Sequence, residues 1–306
     1  MPLLGIVVPI FNEEQIIDHL YERVSRVLDS LDEPAKVCLV DDGSLDGSLA
    51  GIKRLCEKDS RFGYVSFSRN FGHQTAVVAG LRELDADVYV VIDGDLQDPP
   101  EMIPGLLEKW RSGYEVVYCI RQARKENVLK RWAYAGFYRL LRRISYLSIP
   151  LDSGDFCLMD RIIVEHLRRM PEHNLFVRGL RTWVGYRQIG YTYDREERAG
   201  GRTKYSLGKL FALAYDGLIS FSFFPLRTAM RLGLLASLAS FLATCYLIVK
   251  KLVFDIPLLG WTSTAVLILF MGGIQLFTIG IMGEYICRIF DEVKGRPLYI
   301  IREKKL

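Results

Sequence analysis

Two acidic clusters, each closing a short β-branched apolar run, constrain this chain more than any other feature. Val37-Cys38-Leu39-Val40 leads into Asp41-Asp42-Gly43-Ser44, and Val88-Tyr89-Val90-Val91-Ile92 leads into Asp93-Gly94-Asp95-Leu96-Gln97-Asp98. Such runs predict strands buried on both faces, as in a parallel sheet covered by helices. In open sheets of that class, ligands sit outside the carboxyl ends of the strands. Carboxylates gathered there repel one another unless a positive charge joins them. A divalent metal carrying a diphosphate meets that need.

The alternation continues through the first 120 residues. Apolar runs at 5–10, 36–40, 64–67, 88–92 and 115–120 are separated by helical patterns at 14–31, 46–58, 74–84 and 100–112. This predicts an α/β fold with a mostly parallel sheet and helices on both faces. The pattern then changes. Around 128–147, Leu129, Trp132, Phe137, Leu140 and Leu141 fall near one helical face, ringed by Lys130, Arg131, Arg139, Arg142 and Arg143. A basic amphipathic helix with Trp and Phe seeks a membrane surface, and 207–224 is a second candidate. Residues 232–249 and 256–283 carry no charge, and each is long enough for a helix to cross the hydrocarbon core. Gly272, Gly273, Gly280 and Gly283 suit close helix packing in lipid. Arg227 and Arg231 precede this pair, and Arg288, Lys294, Arg296, Arg302, Lys304 and Lys305 follow it. That bias places both ends in the cytoplasm and the intervening loop outside.

The expected organisation is a cytosolic catalytic domain at 1–228, a two-helix transmembrane hairpin at 229–288 and a basic cytosolic tail at 289–306. The net charge of +4 over 306 residues is modest, and the basic residues gather near the membrane segments. This favours an anionic membrane surface and argues against nucleic acid. The first residues lack a charged n-region, so no signal peptide is expected. The six cysteines are scattered, with no C-x-x-C. They are expected to be reduced packing residues, outside any disulfide or zinc framework. His19, His73, His166 and His173 show no metal-ligand spacing and are assigned to structure.

Val7-Val8-Pro9-Ile10-Phe11-Asn12-Glu13-Glu14, Asp41-Asp42-Gly43-Ser44, Ser68-Arg69-Asn70-Phe71-Gly72 and Asp93-Gly94-Asp95 occur in that order within 100 residues. Together they resemble the family 2 glycosyltransferases, which use nucleotide-sugar donors on a Rossmann-like GT-A fold. The resemblance implies that Pro9, Phe11, Glu13, Asp42, Asp93 and Asp95 bind the nucleotide sugar. Asp95 would hold Mg2+ or Mn2+, hard cations that oxygen ligands suit. Asp93 and Gln97 would lie near the sugar. Asp155, in Ser153-Gly154-Asp155-Phe156, would lie on the acceptor side, where relatives are usually given a base. A phosphate monoester is already largely anionic at neutral pH, so orienting the acceptor is the other role open to Asp155. The segment 195–205 looks like the family's flexible loop, with Arg198, Arg202 and Lys204 on the phosphates, against the plainer reading of a solvated linker. Arg121 and Arg131 would bind the acceptor phosphate by analogy with dolichol- and polyprenyl-phosphate sugar transferases.

The Gln-x-x-Arg-Trp motif of processive synthases fails here, because Val128 precedes Lys130-Arg131-Trp132. The helix pair, Phe221-Ser222-Phe223-Phe224-Pro225 and Gly295-Arg296-Pro297 look instead like the bacterial polyprenyl-phosphate glycosyltransferases. The resemblance implies a multi-pass protein of the bacterial inner membrane. It would transfer a sugar from a nucleotide-sugar donor such as UDP-glucose to undecaprenyl phosphate, with inversion, giving a lipid-linked sugar for cell-envelope glycan modification. Membrane lipids are further partners, and a homo-oligomer stays open. The alternatives are a non-enzymatic membrane scaffold and a lipid-sugar flippase partner with a degenerate transferase domain.

Overall fold

Among the described residues eight strands form one sheet, in the order Gln188–Asp194, Val116–Gln122, Ser153–Asp160, Val88–Val91, Leu4–Ile10, Ala35–Asp41, Phe62–Phe67 and Ile301–Lys305. This computed structural model describes residues 1–122, 153–172, 176–194, 224–254 and 260–306. The strands are β1 (Leu4–Ile10), β2 (Ala35–Asp41), β3 (Phe62–Phe67), β4 (Val88–Val91), β5 (Val116–Gln122), β6 (Ser153–Asp160), β7 (Gln188–Asp194) and β8 (Ile301–Lys305). The helices around the sheet are α1 (Ile17–Asp29), α2 (Ser48–Lys58), α3 (His73–Glu83), α4 (Ile103–Arg111), α5 (Arg161–Arg169) and α6 (Val177–Trp183). Two long helices among the described residues, α7 (Phe224–Phe254) and α8 (Trp261–Val293), belong to a separate unit.

Side chains alternate across each strand, and here both faces are buried. Ile6, Val8 and Ile10 of β1 join a core with Leu20, Val24, Ile52 and Leu106 of α1, α2 and α4. Val7 points the other way, into a core with Ala76, Val77 and Leu81 of α3 and Ile163 and Leu167 of α5. This two-sided burial is why β1, β2 and β4 read as continuous apolar runs. Gly80 lets α3 lie close on β1, since a Cβ there would meet Val7 Cγ1.

The sheet is mostly parallel, as expected, with six of the eight described strands running in one sense, but it is mixed because two strands oppose them. β6 runs antiparallel to both β4 and β5, and β8 runs antiparallel to β3. An antiparallel neighbour needs no helical crossover, so strands inserted late in the chain can enter in the opposite sense. Part of the expected basic tail forms β8 itself. Ser68 N donates to Ile300 O at 2.9 Å, and the Tyr299 ring stacks on Phe67 with centroids 5.2 Å apart. Such a ring pair contributes about 1 kcal/mol beyond its burial. Lys304 and Lys53 pair with Glu83 and Glu303 at 2.9 and 2.7 Å.

In the second unit α7 and α8 contact each other. Among the described residues one stretch, Phe270–Val293, is long and apolar enough to cross a membrane, and Thr228–Leu242 is a shorter apolar segment. Leu234, Leu235, Phe241, Phe270, Leu276 and Phe277 are exposed. A Cβ at Gly272, Gly273, Gly280 or Gly283 meets no described atom within 4 Å. The expected interface helices at 128–147 and most of 207–224 lie outside the described residues. The described cysteines are all free, four of them buried.

Candidate active site

β1, β2, β3 and β4 run parallel, so their carboxyl ends share one edge of the sheet. β1 leads outward through β2 to β3 on one side and has β4 on the other. The winding thus reverses between β1 and β4, the position where open α/β sheets bind ligands. Gly94 lies against the end of β1, where a Cβ would sit 2.8 Å from the Pro9 carbonyl oxygen. Glycine therefore lets the turn bearing Asp93 and Asp95 close onto β1. Asp95 Oδ1 accepts from Gln97 N at 3.1 Å, and Leu96 between them is buried at a φ of 57°. Asp98, also buried, accepts a hydrogen bond from the Tyr193 hydroxyl of β7.

The β2 and β3 loops are tied together by the first acidic cluster. Asp41 accepts from the Ser66 hydroxyl at 2.7 Å and from Ser44 N at 3.1 Å. Asp42 accepts from Phe71 N at 2.7 Å, Gly72 N at 3.0 Å and Asn70 Nδ2 at 2.9 Å. Burial raises the Asp42 carboxyl above its ordinary range, and the two backbone donors oppose that rise without cancelling it. Glu14 Oε2 accepts from Gly47 N, while Glu13 N donates to the Ser48 hydroxyl. Phe11, just beyond β1, is exposed.

Because β6 is antiparallel to β4, its first residues lie beside the last residues of β4. Val91 pairs with Cys157, so Asp155, two residues earlier, comes level with Asp93, two residues later. His73, at the start of α3, reaches both: its Nε2 lies 3.3 Å from Asp155 Oδ2 and 3.5 Å from Asp93 Oδ1. Gln74 Nε2 donates to Asp155 Oδ2 at 3.0 Å, and Arg178 Nε of α6 donates to Asp155 Oδ1 at 2.9 Å. Burial alone would raise Asp155, but His73, Arg178 and Gln74 outweigh it and hold the carboxyl well below its usual range. Burial likewise disfavours the charged form of His73. The hydrogen bond to Asp155 and the charge of Asp93 overcome it, so the imidazole sits above its ordinary value. Asp93 is pushed up to about 6, by burial first, against the lowering effect of His73 and with Asp98, Asp155 and Asp95 adding repulsion.

Pro9, Phe11, Glu13, Asp42, Asp93, Asp95, Gln97 and Asp155 thus collect along one edge of the sheet. Arg121 lies near the end of β5 on that same edge, its side chain outside the described residues. Arg131, Arg198, Arg202 and Lys204 also lie outside the described residues. His73, Gln74 and Arg178 were not anticipated. For His73 the signal was available: it follows β3 as Asp42 follows β2 and Asp93 follows β4. For Arg178 no sequence signal exists. A hard divalent cation fits the edge, since Asp93 and Asp95 offer oxygen alone and the buried Asp93 Oδ1 makes no hydrogen bond. Among the described residues no group of three His, Cys, Asp or Glu side chains holds a metal unaided.

The family model described as Glycosyl transferase family 2 matches residues 5–168. An uncharacterized glycosyltransferase of Bacillus subtilis, YkcC, is 45% identical over 300 residues, 98% of this chain and 93% of the relative. The SfII prophage-derived bactoprenol glucosyl transferase of Shigella flexneri is 42% identical, over 98% of this chain and 97% of the relative. Among solved structures, glucosyl-3-phosphoglycerate synthase from Mycobacterium tuberculosis, in complex with Mn2+, UDP and phosphoglyceric acid, aligns with a TM-score of 0.49. It is 16% identical and covers 71% of this chain and 76% of that one.

Proposed function

Because this chain belongs to glycosyl transferase family 2 and is a glycosyltransferase, we propose that it moves glucose from UDP-glucose to a polyprenyl phosphate, at the cytoplasmic face of a bacterial inner membrane. The carrying observation is likeness over nearly the whole length to proteins named bactoprenol glucosyl transferase. The nucleotide lies against Pro9, Phe11, Glu13 and Asp42. Asp95 would hold Mg2+ or Mn2+, and Asp93 and Gln97 face the sugar. A divalent cation held there would supply positive charge to offset the charge that develops on the departing nucleotide. A phosphate oxygen of the acceptor attacks the anomeric carbon from the face opposite the diphosphate. The carbon–oxygen bond to the diphosphate breaks, and the configuration inverts. The acceptor oxygen is already anionic, so positioning and charge stabilisation supply most of the rate. Arg121, Arg131, Arg198, Arg202 and Lys204 are proposed to hold phosphates.

Chain connectivity supports this membrane arrangement. β8 lies beyond α8 in the chain yet pairs with β3 of the catalytic sheet. A single crossing by α8 would leave β8 on the far side of the bilayer, so we place α7 across it as well. Gly260→Cys, in a Cys245→Ser, Cys287→Ser background, is expected to react with an impermeant thiol reagent added outside intact cells, and Arg302→Cys is not. The reverse labelling overturns the topology.

A scaffold or flippase partner with a degenerate site would have little use for the carboxylates of Asp93 and Asp95. Purified protein incubated with undecaprenyl phosphate and a panel of nucleotide sugars is expected to form a lipid-linked glucose from UDP-glucose. Transfer of another sugar corrects the donor, and transfer of none rejects the function.

A further inference from the structure

Asp155 is an unsuitable base in this structure. It is only 9% exposed, and both its oxygens are taken, Oδ1 by Arg178 Nε and Oδ2 by Gln74 Nε2 and His73 Nε2. Arg178 adds a longer contact to Oδ2 at 3.4 Å. Gln74 is fixed in turn, because its Oε1 accepts from Val177 N of α6 at 3.0 Å. The carboxylate therefore joins the start of α3 to the start of α6. The side chains of His73 and Arg178 remain 44% and 30% exposed, so each can be reached from solvent at this edge. They lie on the Asp155 side of Asp93, the side the family resemblance gives to the acceptor, where a second phosphate must approach a donor diphosphate among several carboxylates. Nitrogen donors fixed in place, the permanently charged Arg178 among them, lower that repulsion without reorganising.

We propose that His73 and Arg178, braced by Asp155, grip the phosphate monoester of the acceptor, and that Asp155 is a positioning residue that takes no proton. This rests on the polyprenyl-phosphate acceptor proposed above. Rates of the full-length protein, measured with undecaprenyl phosphate varied at saturating UDP-glucose, test it. His73→Gln and Arg178→Gln are each expected to raise the acceptor KM at least about tenfold, as loss of a charged hydrogen bond does, with the donor KM within about twofold. Arg178→Lys recovers part of the loss. Asp155→Asn also raises the acceptor KM, whereas loss of a base lowers kcat at unchanged KM. Unchanged acceptor KM in the two Gln variants, or a pure kcat loss in Asp155→Asn, overturns the proposal.

A measurement on unmutated protein covers the case in which a variant misfolds. Vesicles carrying undecaprenyl phosphate are expected to protect His73 from diethyl pyrocarbonate, read by mass spectrometry, and vesicles carrying undecaprenol are not. Equal labelling with both lipids overturns the grip. Wild-type protein that transfers no sugar to undecaprenyl phosphate rejects the underlying function instead.

Discussion

Asp95→Asn is expected to lower sugar transfer at least about 100-fold, the scale of losing a major electrostatic group at a transition state. The replacement keeps the side-chain shape and an oxygen that can still accept from Gln97 N, so the turn survives and only the negative charge is lost. EDTA should reproduce the defect in wild-type protein, with Mg2+ or Mn2+ restoring activity. A second readout is independent of turnover. Mn2+ with UDP should raise the melting temperature of the wild type, because a ligand that binds only the folded state stabilises it, and should leave that of Asp95→Asn nearly unchanged. Full activity in EDTA would remove the metal from the site.

Gly43→Ala should be nearly as damaging, by a different route. Gly43 has a φ of 68°, and a Cβ there would meet the Arg69 carbonyl carbon and lie 2.6 Å from Asn70 N. The left-handed backbone costs a non-glycine residue about 1 kcal/mol, and the overlap is with backbone, which cannot turn aside. We expect about 3 kcal/mol of lost stability in total. The shift should also displace the 70–72 loop, whose amides Asp42 holds, and with it the start of α3. Transfer should fall at least about tenfold even at temperatures where the variant remains folded, a displacement of about 1 Å being enough for that. A melting temperature and activity both within error of wild type would refute the close approach at Gly43.

The first five strands and first four helices were legible because their cores lie on both faces of the sheet, leaving unbroken apolar runs between turns. α1 was expected from residue 14 and starts at Ile17, since Glu14 is drawn to Gly47 and Asp46 by side-chain and backbone hydrogen bonds. β6 and β8 were not legible. Ser153-Gly154-Asp155 opens β6 with residues that strands disfavour. Arg302, Glu303, Lys304 and Lys305 in β8 read as a solvated tail, yet charge of this kind is what protects an edge strand from further pairing. Each acidic cluster of the site could be found from its own strand. That Asp93 and Asp155 share His73 could not, because it depends on the sense in which β6 enters the sheet.

The pairing of β8 with β3 also sets an order of events during synthesis. Tyr64 and Glu303, which share a hydrogen bond, are 239 residues apart. At roughly 5–20 residues per second, the ribosome needs on the order of ten seconds or more to cover that distance, making both long helices on the way. Until then β3 is an open edge carrying Phe67, the very kind of surface that recruits stray strands. The catalytic sheet is closed only after α8 has been made, so a chain stalled before residue 301 carries all its catalytic carboxylates on an unfinished sheet.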